Sequence, residues 1–357
     1  MRFLRSLCKV FTLAWIAPVL AHEINPIVVD VNRDDRHNVT LRLNLESILS
    51  GVDLRLGGNT DDLPGAQRYD QARALSDEQL VQAFEGQLPK AWALLGVQGQ
   101  VLDYQIQIES QSDLELPRPV TLTIELEPPQ PLIWQADPRL GEFVIRDQSE
   151  RAYTALLAPG QASNPLDQQV SARDQFVTYV LSGIDHIVPK GLDHILFVIG
   201  LFLFSAHWKP LLAQVSVFTL AHTVTLALAS LGIVVIAPAI VEPLIALSIL
   251  YIAVENLLPK RPLSRRLWLV LVFGLLHGLG FASVLQEFGL GGEYFVLSLV
   301  GFNLGVELGQ LLVLAPLMLV LGTWAHRQPW YRGLVQIPAS LVIGSIGALW
   351  TFERVMG

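Results

Sequence analysis

Two apolar stretches decide the fold of this chain: PLLAQVSVFTLAHTVTLALASL at 210–231 and VIAPAIVEPLIALSILYIAVENLL at 235–258. Each is long enough for an α-helix to cross a bilayer, which takes roughly 20 mostly apolar residues. Four more such stretches lie in the same half of the chain, at 187–207, 267–287, 294–324 and 334–352. The sequence therefore predicts a polytopic α-helical membrane bundle of six helices, in a domain that spans 179–357.

Charge and hydropathy are distributed unevenly along the 357 residues. Of 32 acidic and 24 basic residues, 8 acidic and 9 basic ones lie from Val180 onward, so the first half is strongly acidic. The mean hydropathy of +0.45 for the whole chain excludes an ordinary soluble globular protein. An acidic first half also excludes a nucleic-acid-binding surface there. The natural partners of that half are cations.

Residues 1–21 have the features of a cleaved signal peptide. Three basic residues precede an apolar run from Val10 to Leu20, and this run is too short to span a bilayer. An uncleaved anchor helix is the alternative. Cleavage after Ala21 would remove Cys8, the one cysteine of the chain, and would leave His22 as the N-terminus. A terminal histidine offers its amine and its ring Nδ1 to a metal, so His22 is a second-tier ligand candidate.

Residues 22–178 are predicted to form an exported, mainly β domain. Apolar and polar residues alternate at 27–31, 39–45, 101–108 and 120–126, and 143–145 and 152–157 are further candidate strands. Between them, Tyr69 to Leu95 has apolar residues at helical spacing, with Ser76 as a candidate N-cap. We expect a sandwich-like β domain with a helical insertion.

Basic residues in the loops between the spans predict the orientation of the bundle. The loops on one side hold seven of them: Lys209, Lys260, Arg261, Arg265, Arg266, Arg327 and Arg332. The loops between spans on the other side hold none, and the C-terminal tail there holds Arg354. Cytoplasmic loops carry the excess of Lys and Arg. We therefore expect a multi-pass protein of the cell inner (cytoplasmic) membrane, with its N-terminal domain and C-terminus on the outer (periplasmic) side.

Four polar residues lie at similar depth in three predicted spans: His222, His277, Asn303 and Glu307. An ionisable group at the bilayer centre costs at least about 2.5–3.5 kcal/mol, so these groups should face the bundle interior and meet there. They are candidate metal ligands. The alternative is that each makes a separate hydrogen bond between helices. Glu255, nearer the inner end of the third span, is a second-tier candidate.

Glycines predict which spans pack closely. The fifth span has glycines at 301, 305 and 309, and the fourth has glycines at 274, 278 and 280. Stripes of small residues let two helices approach closely. We therefore expect the fourth and fifth spans to pair, which would bring His277 toward Glu307.

The unit Gly-x-Asp-His occurs twice at the entrance to the first span, at 183–186 and at 191–194. Imidazole binds divalent Zn, Ni and Co, and a neighbouring carboxylate is a ligand or orients the ring. His186, Asp193 and His194 are therefore candidate ligands, and Asp185 is a second-tier one. The alternative is that Asp193 caps a helix and His186 lies at the membrane interface.

These residues belong to a longer pattern. The membrane half resembles the HupE/UreJ family of hydrogenase and urease accessory proteins, in the branch with a large exported N-terminal domain. The similar stretches are HIVPKGLDHILFVIGLFLF (186–204), FTLAHTVTLALASLG (218–232), VEPLIALSILYIAVEN (241–256), FGLLHGLGFASVL (273–285) and GFNLGVELGQ (301–310). The family hallmark, His-Pro followed by Gly-x-Asp-His, is matched by His186 and by Gly191, Asp193 and His194. The resemblance implies a nickel or cobalt permease.

The favoured interpretation is a membrane permease for a divalent transition metal, a transporter rather than an enzyme. The alternative is an intramembrane zinc-dependent hydrolase, with Glu307 as general base and Ser283 or Tyr251 near its substrate. In either case the ion is Ni, Co or Zn and no organic cofactor is expected. The expected partners are membrane lipid and metal ions, with metalloenzyme maturation proteins and a second copy of the chain as further candidates, and no nucleic acid.

Overall fold

A computed structural model of the chain describes residues 26–32, 37–56, 63–109, 118–127, 131–147, 154–166, 171–205, 207–259, 262–280 and 294–356. The chain divides into two compact units, Met1–Gln169 and Val170–Gly357. The expected signal peptide, His22 and Ser283 lie outside the described residues.

The first unit contains one mixed β-sheet. Its strands are β1 (Ile27–Asn32), β2 (His37–Leu43), β3 (Gln100–Ile108), β4 (Val120–Glu127), β5 (Phe143–Asp147) and β6 (Thr154–Leu157), in the order β3-β4-β2-β1-β5-β6. Neighbouring strands are antiparallel, except that β1 and β5 run parallel with Val29 opposite Ile145. The described strands thus form a single sheet, where a sandwich of two was expected. Alternating burial shows that one face of a strand is covered but does not show whether a second sheet or helices cover it.

Helices supply part of the core of this unit. They are α1 (Leu45–Ser50), α2 (Ala66–Arg73), α3 (Asp77–Glu85) and α4 (Leu88–Leu95), so the predicted helical insertion consists of three short helices. Ser76 caps α3 as expected, because its Oγ accepts from the backbone of Gln79 while the Gln79 side chain accepts from the backbone of Ser76. Leu80 and Phe84 of α3 are completely buried.

The second unit is a bundle of long apolar helices. They are α5 (Ala172–Ile187), α6 (Leu192–Phe204), α7 (Trp208–Ser230), α8 (Pro238–Leu257), α9 (Leu263–Gly280), α10 (Phe295–Val320), the short α11 (Gly322–His326) and α12 (Ile337–Met356), which a π-helical turn at Arg332–Gln336 precedes. Among the described residues, five helices are long and apolar enough to cross a membrane, counting Arg332–Met356 as one, and α5 with α6 forms a sixth if that pair is one span. The chain is a multi-pass membrane protein.

The region of the first predicted span, 187–207, does not form one straight helix. It contains the end of α5, which begins at Ala172, and the whole of α6, and these two helices meet at an angle of 72°. Proline lacks a backbone N–H and disfavours the helical conformation in the residue before it, so Pro189 ends α5 and leaves Val188 extended. Hydropathy identified α6, which is apolar, but did not identify α5, because the mean hydropathy of α5 is too low for a predicted span.

The glycines of α9 and α10 allow close helix packing, but they do not pack these two helices against each other. A Cβ on Gly309 of α10 would lie 2.7 Å from the Cβ of Ile187, and one on Gly301 would lie 2.9 Å from the carbonyl oxygen of Phe176. Both neighbours belong to α5. On α9, a Cβ on Gly274 would lie 2.6 Å from the carbonyl oxygen of Phe218 on α7. The expected glycine-mediated pairing of the fourth and fifth spans is therefore wrong: α5 packs on α10, and α7 packs on α9.

Candidate metal centre

The break between α5 and α6 brings two histidines together. His186 lies in the last turn of α5 and His194 in the first turn of α6, and their ring centroids are 4.8 Å apart. Gly191 makes this close return possible, since a Cβ there would press on the carbonyl oxygen of His186 and lie 3.2 Å from the Cα of Ile187. The repeated Gly-x-Asp-His unit thus places one histidine on each half of a broken helix.

A third histidine comes from α7. His222 is completely buried, and its ring centroid lies 6.2 Å from that of His186 and 6.0 Å from that of His194. One nitrogen from each of the three rings can be chosen so that all three atoms lie within 4.8 Å of one another. Nitrogens on one tetrahedral ion at about 2.0–2.1 Å stand about 3.4 Å apart, so small side-chain movements would close this triad around an ion. We call His186, His194 and His222 the histidine triad.

Hydrogen bonds set the tautomers of His194 and His222. The Nδ1 of His194 lies 2.9 Å from Oδ1 of Asp193, and the Nδ1 of His222 lies 3.3 Å from Oδ1 of Asn303. The amide of Asn303 is itself oriented, because its Nδ2 donates to the carbonyl oxygen of Leu299 at 2.8 Å. Each Nδ1 therefore faces an acceptor and carries the proton, which leaves the lone pair on Nε2.

Three ring nitrogens in this cluster are open to a ligand. The Nε2 atoms of His194, His222 and His277 are buried and have no hydrogen-bond partner among the described residues. An imidazole whose Nδ1–H is held by a carboxylate or carbonyl and whose Nε2 is open is the usual arrangement of a metal-binding histidine. This donor set suits borderline divalent ions such as Ni, Co and Zn.

His277 is a fourth imidazole beside the triad. Its ring centroid lies 5.0 Å from that of His194, and its Nδ1 donates to the carbonyl oxygen of Phe273 at 2.8 Å. It is not one of the three mutually close residues. His194 is therefore the central ring, in contact with His186 on one side and His277 on the other.

Asp193 and Asn303 act on the rings from outside the triad. Asp193 accepts from both the ring and the backbone N–H of His194, the latter at 2.8 Å, and its side chain is 24% exposed. Asn303 is buried behind His222. The sequence placed both residues among the ligands, and their observed contacts are with the histidine rings.

The remaining carboxylates predicted for the site have other partners. Glu307 accepts a hydrogen bond from Ser216 at 2.8 Å, Asp185 pairs with Lys190 at 2.8 Å, and Glu255 pairs with Arg266 at 2.7 Å. Glu307 does not belong to the triad. Sequence gives the depth of a residue along a helix but not the direction in which that helix is rotated, which explains why Glu307 was predicted to meet the histidines.

Aromatic rings lie next to the histidines, a feature that the sequence analysis did not predict. Phe218 lies with its centroid 5.8 Å from that of His194, Phe197 lies 5.3 Å from His277, and Phe302 lies 5.5 Å from His186. These rings limit the access of water to the imidazoles. Phe218 is four residues before His222 and so shares its helix face, which is a signal that could have identified it.

The fold and the site together define a class of protein. It is a polytopic membrane protein in which a broken helix and its neighbours bury a cluster of histidines suited to a divalent transition metal. Residues 162–354 match the family described as HupE / UreJ protein. The match covers more than half of the chain, so this protein belongs to the HupE/UreJ family. The family is linked to metal handling and suggests an accessory role related to nickel or cobalt transport. Comparison with curated proteins and with solved structures finds no match.

Proposed function

We propose that this protein is a permease for a divalent transition metal of the nickel or cobalt class, and that the histidine triad is its binding site. The observation that carries the proposal is the approach of three ring nitrogens from α5, α6 and α7 to within 4.8 Å of one another in a membrane bundle. Membership of the HupE/UreJ family supports the same substrate class. In this proposal the ion is cargo and the residues bind and release it.

The composition of the site favours passage over permanent retention. The triad offers three imidazole nitrogens and no carboxylate of its own, and a transported ion must bind well enough to enter but weakly enough to leave. His277 beside His194 offers a next ligand, so the ion can exchange one imidazole for another without losing all of its nitrogen ligands. The C-terminal end of the half-helix α5 also favours a cation near His186, because carbonyl oxygens point outward there.

The proposed location is the inner membrane, with the N-terminal domain and the C-terminus on the outer side. Support comes from the loops rich in Lys and Arg and from exposed tryptophans at the same end of the bundle. Trp208, Trp268 and Trp324 are 58%, 70% and 66% exposed, and each lies close in sequence to a basic residue. Tryptophan is enriched at the level of lipid headgroups. We propose lipid and metal ions as partners, with maturation proteins of metalloenzymes and a second copy of the chain as further ones.

The test is uptake of radioactive nickel into liposomes that contain the purified protein. Replacing His194 by alanine removes the ring that contacts both His186 and His277, so we expect at least a tenfold loss of uptake. His207→Ala is the matched control, since this exposed histidine lies at the start of α7. Equal uptake by wild type and His194→Ala would contradict the proposal. The hydrolase alternative is not favoured, because Glu307, its expected general base, bonds to Ser216 instead.

A further inference from the structure

A second buried polar cluster lies in the bundle, centred on Arg266 of α9. Its side chain is completely buried, and its guanidinium donates to oxygens from three other helices. The acceptors are Oε2 of Glu255 on α8 at 2.7 Å, Oε1 of Gln214 on α7 at 2.9 Å and the carbonyl oxygen of Gly200 on α6 at 3.1 Å. The face of the Phe204 ring covers the guanidinium, with 4.0 Å from its central carbon to the ring centroid.

The cluster has more acceptor oxygens than the Arg266 guanidinium bonds to. Oε1 of Glu255 and Oδ1 of Asn256 are buried and accept no hydrogen bond from the described residues. Asn256 is held in place, because its Nδ2 donates to the same carbonyl oxygen of Gly200 at 2.9 Å. Buried oxygens without donors are rare in native proteins and call for an explanation such as an ion. Carboxylate, amide and backbone oxygens together are the donor set of a cation site.

This cluster is separate from the histidine triad. Gln214 precedes His222 by eight residues on α7, and Arg266 precedes His277 by eleven on α9, which correspond to about 12 Å and about 16 Å along the helices. The space between holds buried apolar side chains, which include Leu201, Val215, Phe218 and Val270. Two polar sites therefore lie in series through the bundle, with an apolar layer between them.

We propose that Glu255, Asn256, Gln214 and the carbonyl oxygen of Gly200 form a second site for a divalent cation, and that Arg266 occupies it as a tethered cation. A guanidinium and a divalent ion cannot share these oxygens, because their charges repel at contact distance. The Arg266 side chain must leave before a divalent ion can bind. Until an ion replaces the guanidinium, the cluster closes the bundle at this end. Its place on a transport path rests on the proposed function; its ability to bind a cation does not.

Removing the tethered cation should expose the site. The probe is Ni²⁺ alone, titrated into purified full-length protein in detergent, with bound metal counted per chain. Arg266→Met should bind one more equivalent than wild type, and the further change Glu255→Gln should remove that extra equivalent. Arg265→Met is the matched control, because Arg265 is the exposed neighbour and the variant loses the same charge. If Arg266→Met binds no more nickel than Arg265→Met, the proposal is wrong. A merely structural ion pair would add no equivalent.

A second variant covers the case in which Arg266→Met does not fold, since it leaves a buried carboxylate without its partner. Glu255→Gln keeps the size of the side chain and its hydrogen-bonding capacity. We expect it to bind nickel at the triad as wild type does and to lose at least tenfold in flux through liposomes; wild-type flux would overturn the proposal. The two proposals can be tested separately. Nickel binding that survives His194→Ala contradicts the triad as the binding site. The extra equivalent expected from Arg266→Met can still be measured in a chain that also carries His194→Ala.

Discussion

Asp193 and Asp185 hold the same position in the two Gly-x-Asp-His units, and the structure predicts different consequences of replacing them by asparagine. Asp193 holds the His194 ring through a contact of 2.9 Å between Oδ1 and Nδ1. Asp185 pairs with Lys190 at 2.8 Å, where both side chains are more than two-fifths exposed. Only Asp193→Asn should weaken metal binding. The two variants have the same chemical change, so each controls for the other.

The expected size of the effect follows from the kind of contact. Loss of an outer partner of a metal-binding histidine typically costs 10–100-fold in affinity. The Asp193 side chain is 24% exposed, and asparagine can still present an oxygen to Nδ1–H, so we expect the lower part of this range, about 10–30-fold or about 1.4–2 kcal/mol. Asn303→Ala removes a neutral contact of 3.3 Å and should be milder, at about 0.5–1.5 kcal/mol.

The assay is calorimetric titration of Ni²⁺ into each purified variant in detergent at neutral pH. We expect wild type and Asp185→Asn to bind nickel with equal affinity, Asn303→Ala to bind it more weakly, and Asp193→Asn to bind it most weakly. Uptake into liposomes should follow the same order. If Asp185→Asn and Asp193→Asn lose affinity equally, or if neither loses any, the orienting role of Asp193 is refuted.

Three further predictions concern packing, orientation and protons. Gly305→Ala should destabilise the bundle by about 1–3 kcal/mol, because the new Cβ would lie 2.9 Å from the Cα of Gly183; thermal unfolding in detergent measures this, with Gly322→Ala as control in open space. A cysteine placed at Arg265 in a chain without Cys8 should not react with impermeant thiol reagents added outside cells, and labelling of this cysteine would contradict the proposed orientation. Nickel affinity should fall once the pH is low enough to protonate the buried imidazole nitrogens, because protons then compete with the metal, and an affinity that does not change on acidification would argue against histidine ligands.

The sequence was sufficient to predict the elements that depend on local pattern. Apolar length located the spans, and the Ser76 to Gln79 capping pair marked the start of α3. The cost of burying polar groups at one depth indicated that His222 and Asn303 would meet, and the Nδ1 of His222 lies 3.3 Å from Oδ1 of Asn303. These predictions succeeded because spacing along a helix or strand is fixed by backbone geometry.

The rest depended on contacts between distant residues. The glycine stripe of α10 is a packing surface, as predicted, but it packs on α5, whose polar residues hide that helix from a hydropathy search. Glu307 also lies on α10, and it contacts Ser216 and not the triad. The charge of Arg266 predicts a loop position, but its side chain is buried against Glu255. Hydropathy cannot show that two charges will be buried together, because each looks unfavourable when counted alone.

X-ray absorption of the nickel-loaded protein identifies the atoms bound to the metal. We expect at least three imidazole nitrogens at about 2.0–2.1 Å in the wild type and one fewer in His222→Ala, whose folding is checked by thermal unfolding. A shell of oxygen ligands without imidazole, or an identical shell in His222→Ala, would contradict the assignment of the histidine triad as the metal site.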